Sequence, residues 1–150
     1  MIVGSHLAKR VEPVRDRGEG GSMEPGDVAR KALACVRIFN GAVGLLAPAR
    51  MAASLGSAPG EDRRFGYPAR MFGIRTLVLG ADLLLLKADD PGARRILRQA
   101  VLIHATDTAA AAYAGARGEL PGKAAKLTVA ISAVNTVLAV VSLATAKPRG

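Results

Sequence analysis

Tryptophan is absent from this 150-residue chain, and its aromatic side chains are limited to two tyrosines and three phenylalanines. So few rings leave little for stacking nucleobases, and no RNP, zinc-finger or helix-turn-helix pattern accompanies them. The formal net charge of +9 therefore does not indicate a nucleic-acid-binding protein, because the basic residues lie in short clusters beside apolar blocks. Basic clusters in such flanks are typical of contacts with a membrane surface.

Cysteine occurs once, at Cys35, which excludes a disulfide within the chain. Cys35 lies in an apolar block outside any CxxC pair, so we interpret it as a small buried hydrophobic residue. Motifs of the HExxH, GxSxG and phosphate-loop types are also missing. His104 and Asp107 alone supply too few ligands for a metal, and no nucleophile is placed beside them. The sequence therefore predicts no metal, no cofactor and a non-enzymatic protein.

The first 25 residues mix both charge signs with glycine, serine and proline, and they show no apolar periodicity. We expect a disordered tail over residues 1–25. It is not a signal peptide, because no long apolar core follows Lys9 and Arg10. The codons for Gly18-Glu19-Gly20-Gly21 must be rich in purines and resemble a bacterial ribosome-binding site, which makes Met23 a candidate native start.

Half of the residues are hydrophobic although 22% are charged, which is possible because the two kinds are segregated along the chain. Four apolar blocks predict four helices, at about residues 28–48, 68–87, 94–116 and 127–146. The fourth block has no charge between Lys126 and Lys147, and at about 1.5 Å per residue it can span the ~30 Å of bilayer hydrocarbon. The other three blocks each contain one or two ionisable groups. A short interfacial helix is expected just after Pro48.

This pattern predicts an all-α fold, a bundle of four transmembrane helices over residues 26–147 with short loops. The alternative is a soluble four-helix bundle with buried charges, whose helices would show wide polar faces. The runs Leu83-Leu84-Leu85-Leu86 and Ala109-Ala110-Ala111-Ala112 instead cover every side of their helices, which favours the membrane. The scarcity of interfacial aromatic residues counts against it.

Lysines and arginines near the helix ends differ little between the two sides of the proposed membrane. With the amino terminus inside, eight lie on the inner side and seven on the outer side, and the tail adds four to the inner side. This bias favours a multi-pass protein of the bacterial inner membrane with both termini in the cytoplasm.

Charged residues inside the apolar blocks need partners, because an unpaired charge at the centre of a membrane helix costs about 3 kcal/mol. If the turn at Pro91 folds an antiparallel hairpin, Arg75 and Asp107 lie equally far from it and share a depth. Counting from the basic residues that flank the first two helices likewise places Arg37 level with Asp82. We therefore predict two ion pairs between helices, Arg37 with Asp82 and Arg75 with Asp107.

A polar layer near the middle of the membrane follows from the same counting. His104 lies one turn from Asp107 on the same helix face, and Asn135 falls at the depth of Arg75. The layer comprises Arg75, His104, Asp107 and Asn135, with Asn40 and Ser132 nearby. Two interpretations stay open: these groups lock the bundle together, or they form a binding pocket or proton site.

Small and polar residues recur along one face of the fourth predicted helix. This stripe consists of Ser132, Asn135, Ala139 and Ser142. Small residues permit helices to approach closely in a membrane and polar ones bond across the contact, so we expect the stripe to face the neighbouring helices.

Three segments, NGAVGLLAP, FGIRTLVLGADLLLL and HATDTAAAA, together resemble the small four-helix integral membrane families common in actinobacteria. These families are distantly similar to DoxX-type membrane proteins. The resemblance covers about residues 29–146, and its most specific parts are Gly73-Ile74-Arg75 with Gly80, and Asp107. The resemblance implies a bundle of four transmembrane helices. DoxX-type proteins are linked to redox and quinone metabolism, but this sequence has no redox ligand, so that activity is not implied.

We therefore expect a small integral membrane protein whose partner is the lipid bilayer. It would be a non-enzymatic accessory subunit of a larger membrane complex or homo-oligomer, or would bind a lipid-like ligand. The alternative is a small transporter or membrane enzyme that uses Arg75, His104 and Asp107 around an anionic or protonatable substrate. No nucleic acid is expected as a partner.

Overall fold

A computed structural model of the chain describes residues 24–56, 65–87 and 90–146. The described residues form helices α1 (Pro25–Leu46), α2 (Pro48–Ser54), α3 (Gly66–Leu85), α4 (Ala93–Ala116) and α5 (Gly122–Thr145). They contain no strand, which confirms the all-α prediction for these parts of the chain. Most of the predicted tail, together with Met23, lies outside the described residues.

Prolines set the starts of the first two helices. Pro25 and Pro48 each occupy the first turn of a helix, where the missing backbone N–H costs no hydrogen bond. Ala47 separates α1 from α2, and the chain bends by 110° between them. The short helix expected after Pro48 is therefore present as α2.

Two arginines show how the long helices are arranged. Nη1 of Arg30 in α1 donates to the backbone oxygen of Leu83 near the end of α3, at 2.6 Å. Nη1 of Arg94 in α4 donates in the same way to the oxygen of Ala146 just after α5, also at 2.6 Å. These cations satisfy carbonyl groups left open at helix carboxyl ends. The start of α1 thus lies beside the end of α3, and the start of α4 lies beside the end of α5, so each pair is antiparallel.

Gly26, near the start of α1, contacts the side chain of Thr145 at the end of α5. The starts of α1 and α4 and the ends of α3 and α5 therefore share one end of the bundle. We call this end basal, and we call the opposite end, where α2 packs against α1 and α3, distal.

Helices α1 and α3 pack in backbone contact. A Cβ added to Gly41 would lie 2.6 Å from the backbone nitrogen of Leu77 and 2.8 Å from the backbone oxygen of Gly73. One added to Gly80 would lie 3.0 Å from Cβ of Arg37. Glycine faces of this kind allow the closest approach of two helices.

The consecutive helices α3 and α4 are not among the closely packed pairs of the described residues, whereas α4 packs on α5 and α5 packs on α1. A cleft therefore separates α3 from α4. The contact between α4 and α5 is close, since a Cβ on Gly115 would lie 2.7 Å from that of Ala125.

The basal half of the bundle has a packed apolar core. Its members come from the start of α1, the end of α3, the start of α4 and the end of α5, and they are Leu33, Ala34, Leu83, Leu86, Ala93, Leu97, Ala100 and Ala139. Leu33 and Leu83 are its largest fully buried side chains. The distal half has no comparable cluster among the described residues.

Helix α5 presents polar and small residues inwards and branched apolar residues outwards. The predicted stripe of Ser132, Asn135, Ala139 and Ser142 is buried, which confirms its inward direction. Val134, Val137 and Val140 are 57%, 61% and 46% exposed. A helix at the surface of a soluble protein shows the opposite arrangement.

Length and hydropathy identify α5 as able to cross a membrane, with a mean hydropathy of 2.1 over its most apolar 18-residue window. The bent pair of α1 and α2 passes the same test when it is taken as one span. Within the described ranges α3 and α4 do not pass it. The structure thus supports one or two spans by composition, fewer than the four predicted.

Candidate ligand-binding cavity

The distal half of the bundle contains a partly open cavity of about 470 Å³, to which all five helices contribute. Its walls are mostly apolar and include Met51, Leu55, Phe65, Phe72, Leu127 and Ile131. Volumes of ~300 to 1,000 Å³ with apolar walls and a few polar groups are typical of small-molecule sites. The cavity occupies the space that a core would fill, between α2 and the packed basal half.

Three buried polar side chains close the cavity towards the basal core. Arg37 of α1, His104 of α4 and Asn135 of α5 line it and are 3%, 6% and 4% exposed. A charged or polar side chain buried this deeply is unusual and carries a desolvation penalty unless it is bonded. We call these three residues the cavity floor.

Within the cavity floor, Nη1 of Arg37 lies 2.8 Å from Nε2 of His104. A guanidinium has only donors, so Arg37 donates and Nε2 accepts without a proton of its own. The imidazole of His104 is then neutral and carries its proton on Nδ1. Oδ2 of Asp107 lies 3.9 Å from that nitrogen, which is too long for a hydrogen bond but close enough for electrostatic attraction.

Two atoms of the cavity floor lack hydrogen-bond partners among the described residues. They are Nε of Arg37, a donor, and Oδ1 of Asn135, an acceptor. An unpaired buried group costs about 1 to 3 kcal/mol, so native proteins leave few of them without a reason. Both belong to residues that line the cavity, but the two atoms themselves are sealed from it, each with less than 1 Å² of accessible surface.

The threonines beside the floor serve the contact between α4 and α5. Oγ1 of Thr108 donates to the backbone oxygen of His104 at 2.7 Å, and Oγ1 of Thr136 donates to that of Ser132 at 2.8 Å. The two hydroxyl oxygens lie 3.5 Å apart. Both hydroxyls are thus occupied by the backbone of their own helices.

The two predicted ion pairs are not among the ion pairs of the described residues. Arg37 is bonded to His104 instead of Asp82, which is exposed and shares a small side cavity of about 50 Å³ with Arg37. Arg75 is exposed on α3 and borders the cleft between α3 and α4, a space of about 440 Å³ that Asp107 also borders. The predicted depths place these residues on shared cavities, but their charged groups do not meet.

The predicted ion pairs do not form because α3 packs on a different helix from the one that the prediction assumed. The prediction assumed that α3 packs on α4 because a short turn joins them. The glycines of α1 and α3 bring those two helices into contact instead, and Gly80 then takes the position opposite Arg37. With α3 held against α1, the cleft separates Arg75 from Asp107.

Of the four predicted binding residues, His104, Asp107 and Asn135 line the cavity, and Arg75 borders the adjoining cleft. Arg37, which the sequence assigned to an ion pair, holds the position in the floor. Asn40 and Ser132, predicted to lie nearby, also line the cavity. Gly41, Gly73 and Gly80, which bring α1 and α3 together, were the sequence signal that could have placed Arg37 away from Asp82.

No group of three or more His, Cys, Asp or Glu side chains that could hold a metal ion occurs in the described parts of the chain. The polar chemistry of the cavity therefore consists of one guanidinium, one neutral imidazole, one carboxyl group, and amide and hydroxyl groups.

Comparison with protein families, curated proteins and solved structures found no match for this chain. The resemblance to four-helix membrane families accordingly stays a prediction from residues, and the functional argument depends on the geometry of the cavity.

Proposed function

We propose that this chain is a small integral membrane protein that binds a lipid-like molecule in its distal cavity. The observation that carries the proposal is the cavity itself, which has apolar walls and a floor of three buried polar side chains. An amphiphile matches this division, because its chain would contact the walls and its head group the floor.

The distribution of apolar surface supports a membrane as the solvent. Large apolar side chains are exposed on every long helix, for example Phe39, Val78, Leu102 and Val137, while the interior holds mainly alanines and polar groups, with four leucines in the basal core. Soluble monomers seldom expose so much apolar surface. A bilayer would cover it, with α1, α3, α4 and α5 as the spanning helices.

The charges on α3 and α4 are compatible with this arrangement, although they lower the hydropathy of both helices. Arg75, Asp82 and Asp107 all border spaces between these two helices. Intramembrane charges usually face a bundle interior or a water-filled cavity. The cleft would let these groups keep water or contact one another.

We infer the orientation from the basic residues at the basal end of the bundle. The basal end carries Arg30, Lys31, Lys87, Arg94, Arg95 and Arg98, and we place it at the cytoplasmic face of a bacterial inner membrane. Because α1 starts and α5 ends there, both termini would be cytoplasmic. The distal end, with α2 and the cavity, would face the opposite side.

We infer binding instead of catalysis because Arg37 and His104, the two basic side chains of the floor, are bonded to each other. The hydrogen bond from Arg37 occupies Nε2 of His104, the atom that a general base would need. The predicted fold and the resemblance agree best with one form of this proposal, in which the chain is an accessory subunit that carries a structural lipid.

Purification in mild detergent from native membranes, followed by mass spectrometry of the intact protein, tests the proposal. We expect an amphiphile bound at a stoichiometry of about one, as one cavity implies. Thr128 lines the cavity, so Thr128→Trp should reduce the bound molecule, whereas the exposed Thr106 lies outside it and Thr106→Trp should not. Wild-type protein with no bound molecule, or equal loss in both variants, would refute ligand binding there. Co-purification of a larger complex without a small molecule would favour a purely structural subunit.

A further inference from the structure

The four long helices leave one side of the cavity without a close helix contact. Packing joins them in the order α3, α1, α5 and α4, and α2 packs on α1 and α3 at the distal end. Among the described residues, the gap between α4 and α3 is the side that no close packing closes. The space in this gap measures about 50 Å³ beside the basal core and about 440 Å³ beside the cavity. The cleft is therefore widest where the cavity lies behind it.

Two neighbouring stripes of α3 lead from the cleft into the cavity. The inner stripe lines both spaces and consists of Pro68, Phe72 and Thr76. The outer stripe lines the cleft but not the cavity and consists of Tyr67, Met71, Arg75 and Leu79. Residues four apart share a helix face, so each stripe is continuous along α3. On α4, Ile103 and Asp107 are also four apart and line both spaces. The cavity and the cleft therefore adjoin along one face of each helix.

In the proposed membrane arrangement the cleft opens towards lipid. Tyr67 at the cleft is 73% exposed, and Leu102, next to Ile103 on α4, is 68% exposed. The cleft also has a charged group on each side, since Arg75 of α3 and Asp107 of α4 both border it. Intramembrane charges of this kind usually mark polar paths through a bundle. The cleft thus offers apolar contacts to the chain of an amphiphile and polar contacts to its head group.

We propose that the cavity is loaded sideways from the bilayer through the cleft between α3 and α4, so that its ligand is an amphiphile resident in the membrane. The molecule passes between the two stripes of α3 and the face of α4 that carries Ile103 and Asp107. This inference rests on the proposed function, because it specifies the source and the route of the molecule bound in the same cavity. The alternative route leads from water past α2 at the distal end.

Exchange kinetics test the route, because an obstructed entrance slows binding and release equally and leaves Kd unchanged. The full chain is placed in nanodiscs of phosphatidylethanolamine and phosphatidylglycerol and loaded with dodecanoate. Excess deuterated dodecanoate is then added, and its replacement of the bound probe is followed by mass spectrometry of the intact protein. A separate titration gives Kd.

Met71→Trp obstructs the cleft, since Met71 belongs to the outer stripe and does not line the cavity. Exchange should slow about tenfold, the change that about 1.4 kcal/mol of added barrier produces, while Kd stays at the wild-type value. Ile74→Trp is the matched control, because Ile74 is 46% exposed on the same helix and lines neither space. Its exchange should match that of wild-type protein. Unchanged Kd shows that a variant is folded.

Arg75→Trp obstructs the same stripe at an exposed position and repeats the test if Met71→Trp does not fold. Wild-type exchange in the folded cleft variants would overturn the lateral route and leave ligand binding intact. Slow exchange in Ser54→Trp instead would place the entrance at the distal end, since Ser54 lines the cavity from the exposed end of α2. If wild-type protein binds no more dodecanoate than Thr128→Trp does, the proposed function itself is wrong.

Discussion

Arg37 and His104, 67 residues apart in the chain, meet through a buried hydrogen bond of 2.8 Å at the boundary between the packed half and the hollow half of the bundle. Their helices, α1 and α4, are not among the closely packed helix pairs of the described residues, so long side chains bridge the space. The contact joins the two helix pairs α1–α3 and α4–α5. It also fixes the protonation state of the imidazole, on which the charge of the cavity depends.

The tautomer of His104 gives the first prediction. Because Nε2 accepts from Arg37, the proton must reside on Nδ1, and ¹⁵N NMR of histidine-labelled protein should show this tautomer at neutral pH. His6→Gln removes the signals of the other histidine in the chain. In Arg37→Met the preference for the tautomer protonated on Nδ1 should weaken, since Nε2 loses its hydrogen-bond donor. A protonated Nε2 in wild-type protein would contradict the observed hydrogen bond.

Acidification should destabilise the protein through the same residue. A proton added to Nε2 removes the acceptor and places an imidazolium beside the guanidinium of Arg37, with Asp107 the facing group able to offset the charge. The thermal midpoint in detergent should therefore fall as the pH is lowered from neutral. His104→Gln keeps an oxygen acceptor but cannot be protonated, so its midpoint should fall less.

Asp107→Asn serves as the control for this pH dependence, because it removes the neighbouring carboxyl group and retains His104. The loss of stability in acid should persist in Asp107→Asn. If the profile flattens in Asp107→Asn and not in His104→Gln, the carboxyl group, not the imidazole, carries the effect.

Two double-mutant cycles compare the observed contact of Arg37 with His104 and the predicted contact of Arg75 with Asp107. Arg37→Met with His104→Leu should show a coupling energy of about 0.5 to 3 kcal/mol in the free energy of unfolding, as residues in direct contact do. Arg75→Met with Asp107→Asn should be additive within about 0.5 kcal/mol, because an open cleft separates these groups. Strong coupling of Arg75 with Asp107 would show that α3 closes on α4.

Counting residues from turns and flanking charges placed each pair of predicted partners on a shared cavity. Arg75 and Asp107 do border one cleft, and Arg37 and Asp82 do border one small cavity. Depth along a helix follows from a fixed rise per residue, so it can be read from a sequence. The rotation of each helix about its own axis, and which helix it packs against, depend on how side chains interlock in three dimensions. Counting residues along the chain gives no information about either.

The cavity could not be predicted for the same reason. Two residues of the floor, His104 and Asn135, were predicted as part of a polar layer because they interrupt apolar helices, whereas Arg37 was assigned to an ion pair. A layer of polar residues can be packed solid or can border an empty space, and the volumes around it decide which. Here the short helix α2 bends away at Ala47 and contributes Met51 and Leu55 to a wall instead of filling the centre.

Contact between α1 and α3 depends on Gly73, which gives a further prediction. A methyl group there would lie 2.7 Å from the backbone oxygen of Gly41 and 2.8 Å from the backbone carbon of Gly44, and backbone atoms cannot move aside singly. Gly73→Ala should lower the free energy of unfolding by about 1 to 3 kcal/mol. Gly122→Ala is the matched control, because nothing lies within 4 Å of a Cβ at that position. Equal stability of the two variants would show that α1 and α3 do not touch at Gly73.

The single cysteine provides a test of whether α1 crosses a membrane. Cys35 is exposed on α1, contrary to the buried position predicted from its apolar block. In a soluble protein an exposed thiol would react with a charged maleimide. If the surface around Cys35 is covered by hydrocarbon, the charged reagent cannot reach the thiol. We therefore expect no labelling of Cys35 in intact cells and full labelling after denaturation.

The control for this experiment places a cysteine at the distal end of the bundle. In Cys35→Ala with Ser54→Cys, the thiol lies at the exposed end of α2, which the proposed orientation places outside the cytoplasm. A membrane-impermeant maleimide should label it in intact cells, so that failure to label Cys35 cannot be attributed to the reagent. Equal labelling of both positions would mean that water reaches the outer face of α1, and the bundle would then be a soluble one with an apolar surface. Labelling of Ser54→Cys only in inverted vesicles would keep the membrane assignment and reverse its orientation.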